Sequence, residues 1–157
     1  MAAEAIRFAL SYEALTQWCQ RQGYQFTENA ELKQLAVHYQ LLAQPAPLMI
    51  LPQPERDMVM FVMRQPYTVP PERRTALIDA VALLNASSFM GAWVQNRRTG
   101  ELYFRATLPV GDIQYTDAGV LMVARVVVGT SERAAPALRT IALGGGDPAE
   151  SLAGLVS

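Results

Sequence analysis

The residue types that most often do chemistry in proteins are sparse in this chain of 157 residues. Cys19 is its only cysteine and His38 its only histidine, so an intrachain disulfide is excluded. Zinc or copper sites built on several Cys or His side chains are excluded for the same reason. A nucleophile paired with histidine would need His38, but neither a Gly-x-Ser-x-Gly elbow nor a cysteine signature accompanies it.

Paired carboxylates and glycine-rich loops are equally weak candidates for a catalytic site. The nearest acid pairs, Glu28 with Glu31 and Glu55 with Asp57, lie in polar segments where solvated surface acids are the usual case. The run Gly144-Gly145-Gly146 follows no predicted strand and carries no Lys-Ser/Thr, so it indicates a helix end and not a phosphate loop. We therefore expect a protein that is not an enzyme and has no resident cofactor or metal.

The composition indicates a compact and unusually apolar domain. Hydrophobic residues make up 51% of the chain and charged residues 17%, below the usual quarter of a globular domain. The net charge is -1, so no bulk positive field attracts nucleic acid or anionic lipid. Glu4 stands where a secretory signal needs positive charge, and no apolar run reaches membrane-spanning length. We expect a cytoplasmic protein without membrane contact.

The elements that position these residues begin with a predicted helix over residues 3–22. Its apolar residues form two stripes, one through Cys19 and one through Ile6, Leu10 and Trp18. A one-sided surface helix needs a single stripe. Two interpretations remain open: the helix lies deep in a groove of its own domain, or one stripe serves the core and the other a partner.

Three strands are predicted next, because short apolar runs alternate with prolines, which do not occupy central ladder positions. The strands are expected at 34–42, 48–51 and 58–64, although the first segment also fits a helix continued from Asn29. A second helix is predicted over 71–85, where apolar residues repeat at i, i+3, i+4 and i+7.

A hairpin is the clearest element that the sequence predicts. Its strands are expected at 91–97 and 101–108, joined by a turn in which Gly100 supplies a left-handed conformation. Apolar and polar side chains alternate along the second strand, with Leu102 and Phe104 in the apolar set. This alternation is typical of an antiparallel strand with one buried face.

The last third of the chain is apolar, and residues 118–128 fit either a helix or a strand. The many valines favour a strand. The length of the segment, with Asp112 or Thr116 as N-cap, favours a helix. A further helix is predicted over 132–143, with Pro136 in its first turn.

These elements define an α+β fold in the order α-β-β-β-α-β-β-α, with helices packed on a mixed or antiparallel sheet of about five strands. We expect one domain over residues 1–146, because a chain of this length fits a single core. A mobile C-terminal tail is expected over 147–157.

Two local stretches carry a family resemblance. One leads from Leu84-Asn85 through residues 89–91 to a hairpin that ends in Leu108-Pro109. The other is residues 18–24, at the end of the first helix. Together with the element order, they resemble the YbjN family of bacterial sensory-transduction regulators over roughly residues 5–143.

The resemblance implies a fold like that of the type III secretion chaperones, which are small homodimers that hold other proteins. It implies a non-catalytic homodimer that acts as a chaperone-like or regulatory adaptor for another protein of unknown identity, for instance in a stress response. The alternative that stays open is a small-molecule-binding sensory domain. Its apolar pocket would be lined by Met60, Phe61, Trp93 and Phe104.

An excess of apolar surface indicates where such a protein would bind. The strand at 58–64 is apolar on both faces, whereas one face of an antiparallel sheet normally meets water. Either helices cover both faces of this strand, or one face contacts a partner or a second copy. Methionine suits binding surfaces that adapt to varied shapes. The residues predicted to contact a partner or a second copy are Ile6, Leu10, Trp18, Met58, Met60, Val62, Trp93, Tyr103, Arg105, Met122 and Val126.

Direct nucleic-acid binding is disfavoured by the sequence. Arg97, Arg98 and Arg105 form a small basic and aromatic set with Tyr103 on the predicted hairpin. A solvated strand face is the usual meaning of such a set. We therefore expect protein partners and no nucleic acid.

Overall fold

Short strands and helices alternate along residues 4–156, which are the residues that the computed structural model describes. The strands in this range are β1 (Arg7–Ala9), β2 (Phe26–Asn29), β3 (Gln34–Val37), β4 (Gln40–Leu41), β5 (Gln44–Pro45), β6 (Leu48–Gln53), β7 (Met58–Thr68), β8 (Ala92–Gln95), β9 (Glu101–Pro109) and β10 (Gln114–Thr116). The helices are α1 (Tyr12–Arg21), α2 (Arg74–Ala86), α3 (Asp117–Leu143) and α4 (Pro148–Ser151), with 3-10 turns at Pro54–Arg56 and Pro71–Arg73. The predicted helix start at Ala3 and the predicted tail end at Ser157 lie outside the described residues.

Six strands form one antiparallel sheet in the order β2-β3-β6-β7-β9-β8. β7 is the longest, with 11 residues, and lies between β6 and β9. Two small pairs, β1 with β10 and β4 with β5, lie outside this sheet. The predicted α+β class with helices on an antiparallel sheet is confirmed, but the predicted number of strands was too low.

The missing strand is β2, which forms a hairpin with β3. Its sequence, Phe-Thr-Glu-Asn, is mostly exposed because β2 is an edge strand, and so it lacks the apolar run that marked the other strands. The alternative of a helix continued from Asn29 is therefore wrong. β3 also ends earlier than predicted, and the exposed His38 lies between β3 and β4.

The helices pack on one face of the six-stranded sheet. Buried residues of α1, α2 and α3 belong to the same hydrophobic core as the inward-facing residues of the strands. α3 crosses β6, β7 and β9, while α2 packs on β8 and α3, and α1 packs on β3. Within residues 4–156 no helix lies on the opposite face, so the domain has two layers.

The N-terminal segment departs from the predicted helix over 3–22. Residues Arg7–Ala9 form β1, which pairs with β10. α1 begins only after Ser11, whose hydroxyl accepts a hydrogen bond of 3.0 Å from the N–H of Ala14. Because an N-cap serine fixes where a helix starts, the helical spacing of Ile6 and Leu10 was misleading.

Residues 118–128 are helical, which settles the choice that the sequence left open. They belong to α3, a helix of 27 residues whose N-cap hydroxyl, on Thr116, accepts a hydrogen bond of 3.1 Å from the N–H of Gly119. The helix predicted at 132–143 is its continuation, and Pro136 lies inside it. The strand preference of valine is overridden because α3 is buried against the sheet.

The second predicted helix and the predicted hairpin are confirmed. α2 follows the 3-10 turn at Pro71–Arg73, and β8 pairs with β9. Gly100, before β9, has φ of 80°, and a Cβ there would lie 2.4 Å from the carbonyl oxygen of Val69. The backbone at this turn therefore requires glycine.

The segment after Gly146 is docked on the domain. α4 contacts α2 and α3, and the side chain of Leu152 is fully buried in the core. The N-cap carboxylate of Asp147 accepts a hydrogen bond of 3.1 Å from the N–H of Glu150. The predicted domain boundary at residue 146 stays a prediction, while the residues just beyond it contribute to the core.

Candidate protein-binding site

The sheet face opposite the helices carries an apolar patch, which we call the open face. Side chains alternate between the two faces of a strand, and in β7 the core set is Val59, Phe61 and Met63. Met60 and Val62 therefore point away from the helices. The strand register places these residues on the open face: Ala36, Met49, Leu51, Met58, Met60, Val62, Arg64, Ala92, Val94, Tyr103, Arg105 and Thr107.

Cross-strand pairs give the open face a continuous apolar centre. Met49 of β6 lies opposite Val62 of β7, which in turn lies opposite Arg105 of β9. In the next row Leu51 lies opposite Met60. Directly opposed residues on one face of a sheet have Cβ atoms about 4.5–5.5 Å apart, close enough for their side chains to touch.

Val62 shows how densely this centre is packed. Its side chain is only 5% exposed, yet it lies outside the core that the helices cover. Because no helix lies over it, its burial comes from flanking side chains such as Met49 and Arg105. The open face therefore has an apolar centre with the exposed Arg105 beside it, in which methionines supply conformational adaptability.

Charged side chains border the apolar centre. The Nη1 atom of Arg64 lies 3.4 Å from Oε1 of Glu101, and both side chains reach solvent. Arg105 is exposed and forms no salt bridge within the part of the chain that the structure describes. An apolar centre with a polar rim is the usual anatomy of a protein–protein interface.

The residues predicted to contact a partner fall into three groups in the structure. One group shares the open face: Met58, Met60, Val62, Tyr103 and Arg105. A second group is buried in the core and offers no surface: Leu10, Trp18 and Trp93. The third group is accessible away from the open face: Ile6, Met122 and Val126.

Several members of the open face were missed by reasoning from the sequence. Met49 and Leu51 lie beside β7 on β6, and Val94 lies on β8. The signal for the β6 members was present, because residues 48–51 are apolar on both faces in the same way as 58–63. Val94 gave no such signal, since a single valine in a short strand is unremarkable.

The four residues predicted to line a ligand pocket do not face one space. Phe61, Trp93 and Phe104 are core residues, and the rings of Trp93 and Phe104 pack edge to face with centroids 5.4 Å apart. Met60 points to the other side of the sheet. The expectation of a pocket built from this set is therefore wrong, because strand alternation separates its members.

The residue types able to do chemistry are dispersed. Cys19 is fully buried on α1, and burial, with a smaller effect of Glu28, raises the pKa of its thiol to about 12. The thiol therefore stays protonated at neutral pH and behaves as a small apolar side chain. Among residues 4–156, no group of three or more His, Cys, Asp or Glu side chains is arranged to hold a metal ion.

None of the helices in the described range combines the length and the apolar character needed to cross a bilayer. The longest helix, α3, packs its apolar residues into the core of the domain.

Comparison with known proteins identifies relatives over most of the domain. Residues 11–139 match the family model YbjN, described as "Putative bacterial sensory transduction regulator". A solved structure described as "Crystal structure of YbjN, a putative transcription regulator from E. coli" is similar, with a TM-score of 0.61 and 18% sequence identity. The match covers 83% of this chain and 90% of that chain, and it concerns the fold alone. No curated protein matches the sequence.

Proposed function

The chain belongs to the YbjN family, whose model matches residues 11–139, and from this premise we propose that it is a regulatory adaptor that binds protein and does not turn over a substrate. In this proposal two copies pair through the open face, and the pair holds another protein. A role in a stress response stays a prediction from the family resemblance.

The observation that carries the proposal is the uncovered apolar centre of the open face, with Met60 and Val62 in the middle of the sheet. The residues of the open face lie on five strands, β3, β6, β7, β9 and β8. With about 4.8 Å between neighbouring strands and a margin for the outer side chains, the face is about 24 Å wide and about 20 Å long. Two copies face to face would bury on the order of 1,000 Å², the minimum expected of a biological interface and the size of a weak one.

The charges on the rim also suit a second copy. Arg64 and Glu101 place both signs at one end of the face, and Arg105 adds a further cation between Val62 and Ala92. In a two-fold arrangement the same patch faces itself, so a cation of one copy can lie near the anion of the other. A border with a single sign would instead repel its own copy.

Light scattering coupled to size-exclusion chromatography tests the pairing. At tens of micromolar the wild-type chain is expected at twice its mass of 17.3 kDa. Met60→Glu is expected to run as a monomer, because pairing would bury an unpaired carboxylate. The matched control is Met122→Glu, which places the same charge on a methionine that is 54% exposed on α3, and it is expected to keep the dimer.

Two outcomes would overturn the pairing. One is a monomeric wild-type chain at tens of micromolar, and the other is equal behaviour of Met60→Glu and Met122→Glu. Circular dichroism of each variant shows whether a change of mass reflects lost pairing or lost folding.

The proposal that the pair holds another protein is tested by tagging the chain in its own host and identifying what co-purifies at moderate salt. A stoichiometric protein supports it, and recovery of the homodimer alone contradicts it.

A further inference from the structure

A groove along the exposed side of α3 is left unused by the proposed function. Two adjoining cavities, of about 550 Å³ and about 430 Å³, share Val126, Thr130 and Arg133 in their walls. The residues that α3 contributes recur every three or four positions from Ala118 to Ala134. They therefore form one stripe about 24 Å long on the helix surface.

The larger cavity has a second wall opposite α3, which holds a fully exposed aromatic side chain, Phe89, in the loop between α2 and β8, whereas the smaller cavity is lined by α3 alone. This loop is ordered by hydrogen bonds. The side-chain amide of Asn85 accepts from the N–H of Trp93 at 2.7 Å and donates to its carbonyl oxygen at 3.0 Å. The hydroxyl of Ser88 donates to the carbonyl oxygen of Gly91 at 2.9 Å. These hydrogen bonds fix the loop in a conformation that leaves Phe89 exposed to solvent.

Gly129 lines the smaller cavity, and nothing among the described residues requires glycine there. Its backbone is helical, and a Cβ at this position would meet no atom within 4 Å. Glycine in a helix interior lowers helix stability relative to alanine. A missing side chain at an exposed position also allows the close approach of another backbone.

The charges of the groove have a single sign. Arg125 and Arg133 are exposed along its edge and form no salt bridge within residues 4–156. Among the residues that the structure describes, no Asp or Glu lines either cavity. The two arginines are eight positions apart, which corresponds to about 12 Å along the helix axis.

We propose that this groove binds an amphipathic helix of another protein, about 15 residues long, that carries acidic residues seven or eight positions apart. Its apolar side would contact Phe89 and Val126, as in other helix-in-groove complexes. Its two acidic residues would pair with Arg125 and Arg133. A second copy of this chain does not suit the groove, because pairing α3 with itself would bring the same arginines together.

A synthetic peptide tests this directly. The probe is a fluorescein-labelled helix of 16 residues with a leucine stripe and two glutamates eight positions apart, and the comparison peptide has lysines in place of the glutamates. Fluorescence anisotropy at low salt is expected to show at least about ten-fold tighter binding of the acidic peptide, with a smaller difference at high salt because charges are screened.

Variants of the chain locate the binding. Gly129→Leu is expected to weaken binding of the acidic peptide at least about ten-fold, because the leucine fills the groove. Gly129→Ala is expected to change the affinity for this peptide less than about three-fold. The double variant Arg125→Glu with Arg133→Glu is expected to abolish the preference for the acidic peptide. Arg97→Glu with Arg98→Glu makes the same change of net charge on the hairpin turn and is expected to leave the preference unchanged.

Three results would overturn the proposal: no binding of the acidic peptide, equal binding of both peptides, or full binding by Gly129→Leu. Melting curves confirm that each variant is folded. The inference is independent of pairing through the open face, since Met60→Glu leaves the groove intact. Loss of peptide binding in Met60→Glu, with full binding by Gly129→Leu, would place the peptide on the open face.

Discussion

Arg21 at the end of α1 and Asp117 at the start of α3 form a two-bond ion pair. The Nε of Arg21 donates to Oδ2 at 3.0 Å and its Nη2 donates to Oδ1 at 2.8 Å. The ring of Phe8 lies against the same guanidinium, with 5.4 Å between Cζ and the ring centroid. Nε1 of Trp18 donates to the carbonyl oxygen of Asp117 at 3.2 Å. This corner therefore joins β1, α1 and α3.

Acid sensitivity at this corner is the first prediction. The hydrogen bond from Arg21 lowers the pKa of Asp117 below its ordinary value. A lowered folded pKa means stability that is present above the unfolded pKa of about 3.9 and is lost as the pH falls through the folded value. Asp117→Asn is expected to lower the free energy of unfolding by about 0.5–1 kcal/mol at pH 7, because both side chains are about a third exposed.

Urea unfolding at pH 7 and at pH 2 checks this expectation. At pH 2 the difference between Asp117→Asn and the wild-type chain is expected to be smaller than at pH 7, because the contribution of the ion pair is lost as the pH falls through the lowered pKa of Asp117. Asp79→Asn on the exposed side of α2 serves as control. A difference for Asp117→Asn that is the same at both pH values would contradict the role of the ion pair.

Alternation along β7 gives the second prediction. Phe61 is fully buried in the core, while its neighbour Met60 lies on the open face. Phe61→Ala is expected to lower the free energy of unfolding by about 3–5 kcal/mol. Met60→Ala is expected to lower it by less than about 1 kcal/mol, because its side chain leaves no closed cavity. Guanidinium unfolding at low protein concentration measures both, and similar losses would contradict the assigned faces.

Alanine substitutions at two glycines, Gly129 and Gly91, are expected to change the free energy of unfolding in opposite directions. Gly129→Ala is expected to raise the free energy of unfolding by about 0.5–1 kcal/mol, since a helical backbone with open space around it favours alanine. Gly91 has φ of 94°, and a Cβ there would lie 2.4 Å from the carbonyl oxygen of Arg105. Gly91→Ala is therefore expected to lower the free energy of unfolding by more than about 1 kcal/mol. Thermal melts that shift in the same direction would count against this contrast.

The buried amide of Gln65 gives the fourth prediction. Its side chain is 5% exposed, and neither amide atom has a hydrogen-bond partner within residues 4–156. Gln65→Met removes the polar atoms at similar volume and is expected to raise the free energy of unfolding by about 1 kcal/mol. The same substitution at Gln95 removes a bond of 2.9 Å from its Nε2 to the carbonyl oxygen of Arg74, so no gain is expected there. Chemical denaturation of both variants decides whether the Gln65 amide is a cost to folding.

The strands of the sheet were predictable where local pattern and tertiary environment agree. Apolar side chains on both faces of 58–64 marked a central strand, and the alternation through Leu102 and Phe104 marked a strand with one buried face. That pattern left open whether helices cover both faces of the strand or one face stays uncovered, and the helices of residues 4–156 lie on one side only. The outline of the open face depended on register, which local pattern does not provide.

The helices were predictable only in part, because the hydrophobic signal does not say what ends a helix. Ser11 caps α1 and leaves Ile6 and Leu10 outside it, although their spacing is helical. The valines of α3 lie in a helix because the helix packs on the sheet. The helix also continues past Pro136, which the sequence had placed in a first turn. Trp18 and Trp93 illustrate a further limit: an aromatic residue has the same sequence signal in a core as in an interface.

The position of β7 in the sheet has a consequence for synthesis on the ribosome. Its first partner, β6, precedes it, whereas its second partner, β9, begins only at Glu101. Until β9 has emerged, a nascent chain presents an 11-residue strand with few charges and one unpaired edge. Such an edge is a template for pairing with other chains. The edge of β7 therefore stays open to pairing with other chains from the synthesis of Thr68 until β9 is complete at Pro109.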